Sequence, residues 1–111
     1  ESEILGYIIG RTLAAMGDLE NAIIFADKAL HLDPNNALAH YSKGNALYKL
    51  KRYEDSLACY RKAVEIDPKK GAYHYNYANT LTDLRQFSEA EKAYDRAITL
   101  NPINASALYN K

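Results

Sequence analysis

Three prolines, Pro34, Pro68 and Pro102, stand 34 residues apart, and the phrases that lead into them are LHLDP, VEIDP and ITLNP. A fixed period of this length constrains the fold more than any other feature, because each copy must be a structural unit that packs on its neighbours. Further columns keep the same register: Leu13, Leu47 and Leu81; Ala29, Ala63 and Ala97; Leu32, Ile66 and Leu100. Gly10, Gly44 and Ala78 form a small column, Ala22, Ser56 and Ala90 another, and Leu19, Tyr53 and Phe87 a bulky one.

Each unit holds two helical patterns. In the middle copy Gly44, Leu47 and Leu50 fall at spacings of three, and Leu57, Tyr60, Ala63, Val64 and Ile66 repeat the apolar face in a second segment. The breaks between segments read GD (17–18), KR (51–52) and RQ (85–86). Glu20, Glu54, Asp55 and Glu89 follow them, where a helix N-terminus favours negative charge. Each second helix ends at proline, which lacks a backbone donor and clashes with the preceding turn. Small columns let paired helices approach closely, bulky ones fill the gaps, and the expected product is a stack of antiparallel helix pairs.

Composition narrows the function. The 14 Lys plus Arg balance 14 Asp plus Glu, so the chain has no basic stripe to displace counterions from a nucleic acid and no pull toward an anionic membrane. Cys59 is the one cysteine and makes no internal disulfide. No apolar run approaches the ~20 residues of a membrane span, and ILGYIIG (4–10) is too short. The expected setting is intracellular, in the cytoplasm. The chain opens at Glu1 and closes inside a fresh helical pattern at Lys111, which reads as a piece of a longer protein.

With these columns in place the unit resembles the tetratricopeptide repeat, with copies at 3–36, 37–70 and 71–104 and the start of a fourth at 105–111. The resemblance implies an all-α, right-handed superhelical solenoid of antiparallel helix pairs, one array over 1–111. The family's frequent tryptophan is replaced by Gly6, His40, His74 and Leu108, and Lys43 stands where a large residue is usual. EILGYIIG is strongly apolar and NASALYNK stops before its partner helix, so neither end looks capped, and end-to-end stacking into a homo-oligomer is an expectation.

The first helix of each unit carries a second stripe, at spacings of four, three and four. It comprises Leu38, Ser42, Asn45 and Lys49 in the middle copy and Ala72, Asn76, Asn79 and Asp83 in the third. Tyr7, Tyr41, Tyr75 and Tyr109 run beside it without exception, giving Tyr7/Arg11, Tyr41/Asn45 and Tyr75/Asn79 as pairs one turn apart. The resemblance places this stripe on the concave groove where family members hold peptides. The candidate peptide-binding residues are Tyr7, Ile8, Arg11, Tyr41, Ser42, Asn45, Lys49, Tyr75, Asn76, Asn79 and Asp83. Asparagine offers a donor and an acceptor to an extended backbone, and tyrosine a flat body with a polar tip. Ile4 and Ile8 would add an apolar anchor at one end. The same tyrosines and asparagines also suit hydrogen bonds within the array.

Asn76 and Asn110 match an asparagine ladder seen in the O-GlcNAc transferase repeats, which Ile8 and Ser42 interrupt. The carboxylate clamp that holds acidic chaperone tails needs lysine, asparagine and arginine at set places. Those places carry Tyr7, Arg11, Ser42, Ala72 and Asn76 in one register, and Tyr41, Asn45, Asn76, Ser106 and Asn110 in the next. The clamp's lysines and terminal arginine are missing in both, and a terminal carboxylate needs positive charge.

No phosphate loop, nucleophile elbow or HExxH is present, so the chain is read as a non-enzyme without cofactor. Cys59, among Leu57, Tyr60 and Ala63, reads as a packed, inert thiol. His40 and His74 share a column, but helix packing separates neighbouring units by about 8–10 Å, too far for one ion, so no metal site is expected. His31 sits near a helix C-terminus, and Tyr53, Tyr60 and Tyr94 occupy packing columns. The expected function is a protein-interaction scaffold that holds a partner peptide in the groove, the partner being unidentified. A self-associating spacer and the recruiting arm of a larger enzyme are the alternatives.

Overall fold

The computed structural model describes residues 17–100, which form five helices: α1 (Leu19–Leu32), α2 (Ala37–Lys49), α3 (Tyr53–Ile66), α4 (Gly71–Asp83) and α5 (Phe87–Leu100). No strand occurs among these residues. The bounds of α1, α3 and α5 are offset by 34 residues at both ends, as are those of α2 and α4. The sequence period is therefore a period of structure. Each helix packs on the next in chain order, α1 on α2 through α4 on α5. None is long and apolar enough to cross a membrane among the described residues.

Local chemistry sets the helix ends. Asp18 caps α1 by accepting from the Asn21 backbone N–H, and Asn36 caps α2 by accepting from the Ala39 N–H at 3.1 Å. Arg52 and Lys70, at the starts of α3 and α4, make no side-chain cap. At the end of α2 the Lys51 N–H bonds to the Tyr48 carbonyl and the Arg52 N–H to the Leu47 carbonyl. Arg85 and Gln86 repeat this at the end of α4, bonding to Thr82 and Leu81. This closure needs a left-handed residue two places beyond the last helical one, and Lys51 (φ 64°) and Arg85 (φ 63°) supply it; Gly17, in the same register, is also left-handed (φ 84°). KR and RQ are thus the same turn, and both place a non-glycine residue in the left-handed conformation.

The core is built of small side chains: Ala22, Ala26, Ala39, Ala46, Ala63, Ala78, Ala90, Ala93 and Ala97 are all buried. Leu47, Leu57, Leu81, Tyr60 and Tyr73 fill what the alanines leave open. Helices α2 and α3 approach closely at Gly44, where an added Cβ would stand 2.8 Å from the Tyr60 ring. The buried Ser56 hydroxyl donates to the Gly44 carbonyl at 2.8 Å, tying α3 to α2 at the same level.

His40 and His74 replace a bulky aromatic with a hydrogen bond. Their Nε2–H groups donate to the carbonyls of Pro34 at 2.9 Å and Pro68 at 2.8 Å. A carbonyl only accepts, so Nε2 carries the proton, and each ring staples the start of its helix to the proline loop before it. Lys43 also has a role: it reaches α1 and pairs with Asp27 at 2.7 Å, which raises its pKa. One period later the same places hold Tyr77 and Arg61, whose Nε donates to the tyrosine hydroxyl at 3.4 Å.

Replacing Lys51 or Arg85 with glycine removes a side chain from a left-handed position and is expected to stabilise the array by about 0.5–1 kcal/mol per site. Urea unfolding monitored by circular dichroism measures it. A lowered midpoint would show that these turns do not hold the strain assigned to them.

Candidate functional site

Helices α2 and α4 present equivalent faces because they are the first helices of successive pairs. Tyr41, Asn45, Tyr75, Asn76 and Asn79 are half-buried, Lys49 and Asp83 exposed, and Ser42 buried beneath them. Tyr7, Ile8 and Arg11 lie outside the described residues, as do Ile4 and Asn110.

Tyrosines standing behind these residues hold them in place. The Tyr60 hydroxyl, from α3, donates to Asn45 Oδ1 at 2.5 Å, and the Tyr94 hydroxyl, from α5, donates to Asn79 Oδ1 at 2.5 Å. The rings repeat as well: Tyr41 lies 5.8 Å from Tyr60 and Tyr75 lies 6.0 Å from Tyr94, centroid to centroid. Within each pair, then, a tyrosine of the second helix supports a tyrosine and an asparagine of the first.

Other contacts cross from one pair to the next. Asn76 Nδ2 donates to the Tyr41 hydroxyl oxygen at 2.5 Å, and the Tyr41 ring stacks tilted on buried Tyr73 at 4.6 Å. The Tyr48 hydroxyl donates to the Asp83 carboxylate. Within its own pair Tyr48 also meets Tyr53 edge-on at 5.2 Å. Tyr41, Asn45 and Asn76 therefore join one network through Tyr60, and Asp83, expected as a stripe residue in its own right, is held by the preceding pair.

Sequence reasoning assigned Tyr60 and Tyr94 to packing alone and did not single out Tyr48 or Tyr73. A signal was present: the units with tyrosine in the second helix, Tyr60 and Tyr94, are those with asparagine in the first, Asn45 and Asn79. The first unit has Ala26 and Arg11 at the corresponding places.

Electrostatically the surface is close to neutral. On the α2 and α4 stripes the single cation is Lys49 and the single anion Asp83. Burial, reinforced by the Tyr41 hydroxyl, pushes the Tyr60 phenol well above its ordinary pKa. Burial and the Asp83 carboxylate do the same to Tyr48. Cys59 is buried and its thiol is likewise raised, so it is a poor nucleophile. No group of His, Cys, Asp and Glu suited to a metal ion occurs among the described residues. Away from the stripe, α1 carries an open depression of about 490 Å³ lined by Ile24, Asp27, Lys28, His31 and Leu32.

The chain can now be set beside known proteins. Models of the tetratricopeptide repeat match residues 37–70 and 71–104, and a TPR repeat model matches residues 10–51. No curated protein matches by sequence. The fold is similar to the second TPR of Spaghetti (RPAP3) bound to HSP90 peptide SRMEEVD, at 21% identity over 91% of this chain and 94% of that one, with TM-score 0.86. The first TPR of the same protein, bound to the same peptide, is 21% identical over 98% of this chain and 86% of that one, with TM-score 0.90. MamA from Desulfovibrio magneticus RS-1, residues 41 to its end, is 30% identical over 90% of this chain, with TM-score 0.80, and the chain spans 56% of that structure. At 21% identity the likeness to the Spaghetti repeats is one of fold.

A pH dependence follows from Tyr60. Its folded pKa lies above its unfolded value near 10, so the stabilisation is fully present below pH 10 and is lost as pH rises from there toward the folded value. Stability to urea should begin to fall above about pH 8, where Cys59 ionises in the unfolded chain, and more steeply above about pH 10, where Tyr60 adds roughly 1.4 kcal/mol per pH unit. Tyr60→Phe should shallow that fall, and an unchanged slope in the variant would show that Tyr60 is not its source.

Proposed function

This chain belongs to the tetratricopeptide repeat family, and from that premise we propose that the surface shared by α2 and α4 holds an extended segment of a partner protein. The observation that carries this is the support behind the surface. Asn45, Asn76 and Asn79 are each fixed by a tyrosine hydroxyl, so they meet a ligand already oriented, and little ordering cost falls on binding. Half-buried tyrosines beside them supply flat apolar area. The amides form net hydrogen bonds of about 0.5–1.5 kcal/mol each, which with these ring faces corresponds to roughly micromolar affinity.

The two Spaghetti repeats hold an acidic heat-shock peptide. For this chain the charge pattern supports a different ligand. Lys49 is the one cation on the described stripes, and Lys43 is engaged by Asp27 on another side of α2. A peptide ending in carboxylates therefore lacks its counter-charge here, and the partner segment is one of low charge.

Peptides selected on this chain from a random-sequence display library should bind near micromolar and weaken at least about tenfold on an Asn45→Ala, Asn76→Ala, Asn79→Ala variant, while SRMEEVD shows no saturation up to about 1 mM. The variant also loses three bonds internal to the array, so affinities are compared at a temperature where circular dichroism shows both proteins folded. Equal affinity for the variant would place binding elsewhere, and tight binding of SRMEEVD would overturn the charge argument.

A further inference from the structure

From the same hydrogen bonds we infer that the surface has a fixed polarity, donor at Asn45, acceptor at Asn76 and donor at Asn79, matched to the uncharged main chain of an extended peptide. The inference rests on the reading that α2 and α4 hold a partner segment, and it adds which atoms of that segment are read.

A carboxamide has a donating end and an accepting end, and a tyrosine behind one end turns the other outward. Asn45 Oδ1 and Asn79 Oδ1 receive the hydroxyls of Tyr60 and Tyr94, while neither Nδ2 has a partner among the described residues. Asn76 is turned the other way: its Nδ2 is engaged by Tyr41, and its Oδ1 has no partner among the described residues. None of these unengaged atoms is fully enclosed, since among the described residues the one buried, unpartnered side-chain nitrogen or oxygen is Asn36 Nδ2.

This order suits a strand-like main chain. Asn76 and Asn79 lie three residues apart on α4, so their side chains start about 5–6 Å from one another. The N–H and C=O of one extended residue point to the same side of its chain, as they do toward a neighbouring strand. One peptide residue can therefore give its N–H to Asn76 Oδ1 and take the Asn79 Nδ2 donor on its carbonyl. Asn45 Nδ2, one helix away on α2, meets a further carbonyl of the same segment. A carboxylate would be desolvated here with no cation other than Lys49 on the described stripes to offset it, whereas a main-chain carbonyl needs none. The selectivity is thus for backbone, with side-chain preference left to the tyrosine faces.

Asparagine-to-aspartate exchange tests polarity at constant shape. At positions 45 and 79 a carboxylate still accepts the tyrosine hydroxyl but offers the ligand an acceptor where a donor stood. At position 76 the outward acceptor is kept, and the Tyr41 hydroxyl reverses from accepting to donating. The probe is a peptide with both termini blocked, selected on this chain from a random-sequence display library and titrated by fluorescence anisotropy. Asn45→Asp and Asn79→Asp should each weaken binding about tenfold or more, and Asn76→Asp should leave it within about threefold. Because all three add the same charge, equal losses at all three would overturn the polarity while leaving this surface as the binding site. No loss at any of the three would overturn the polarity and the surface together. A second arm needs no variant: on the unaltered protein, replacing the peptide's amides by esters one at a time should find one N–H whose removal weakens binding. A flat scan would overturn the acceptor role of Asn76.

Discussion

The Tyr60 ring lies against a backbone that has no side chain at Gly44, and the rest of the surface depends on that fit. With the ring seated there, 1% exposed, α2 and α3 close to the distance at which the Ser56 hydroxyl reaches the Gly44 carbonyl. The same placement carries the phenol oxygen to Asn45 and the ring face to Tyr41. A packing contact between two helices thus orients the polar groups on their outer side. At the next pair Tyr94 repeats this arrangement toward Asn79 and Tyr75, with Ala78 in the place of Gly44. There the ring is half-buried rather than enclosed, and it leaves room for the extra methyl.

A repeat array is stable through the sum of units and their junctions, and the two described junctions differ in chemistry. Among the described residues the polar contacts across the first are ionic, Lys43 with Asp27 and, at 3.7 Å on the exposed surface, Arg52 with Glu20. Surface pairs of this kind contribute little and weaken with salt. The second uses tyrosines: Tyr41 with Asn76 and Tyr73, Tyr48 with Asp83, and Tyr77 with Arg61. The Tyr41 and Tyr48 bonds reach stripe residues of the proposed binding surface, so what fixes one helix pair on the next also fixes the spacing between Asn45 and Asn76. Stability and recognition share residues here, and a substitution at Tyr41 or Asn76 acts on both.

Much of this was legible in the residues. The period of 34 gives the helix bounds because proline, the acidic first turns and the left-handed turn residue act within a few positions of themselves. KR and RQ read as breaks although neither contains glycine, since the columns on either side fix the turn between them. Pairing was harder to read. Which end of an asparagine faces outward depends on a tyrosine 15 residues away on another helix, at a distance known only once the helices have packed. The Tyr48–Asp83 contact joins residues 35 apart and belongs to no single unit. His40 and His74 invited a metal reading from their shared column, and the structure turns each toward its own proline carbonyl. Lys43 looked out of place in a column of large residues, and its partner, Asp27, is visible only across the junction.

The sign of the stability change in Gly44→Ala tests the account most directly. Helix propensity alone favours alanine over an interior glycine by about 1 kcal/mol, so an uncrowded site would be stabilised. The account predicts the opposite, a loss of about 1–3 kcal/mol in urea unfolding, because the new methyl would stand 2.8 Å from an enclosed ring held by Asn45 and Tyr41. A variant as stable as the parent, or more stable, would contradict it.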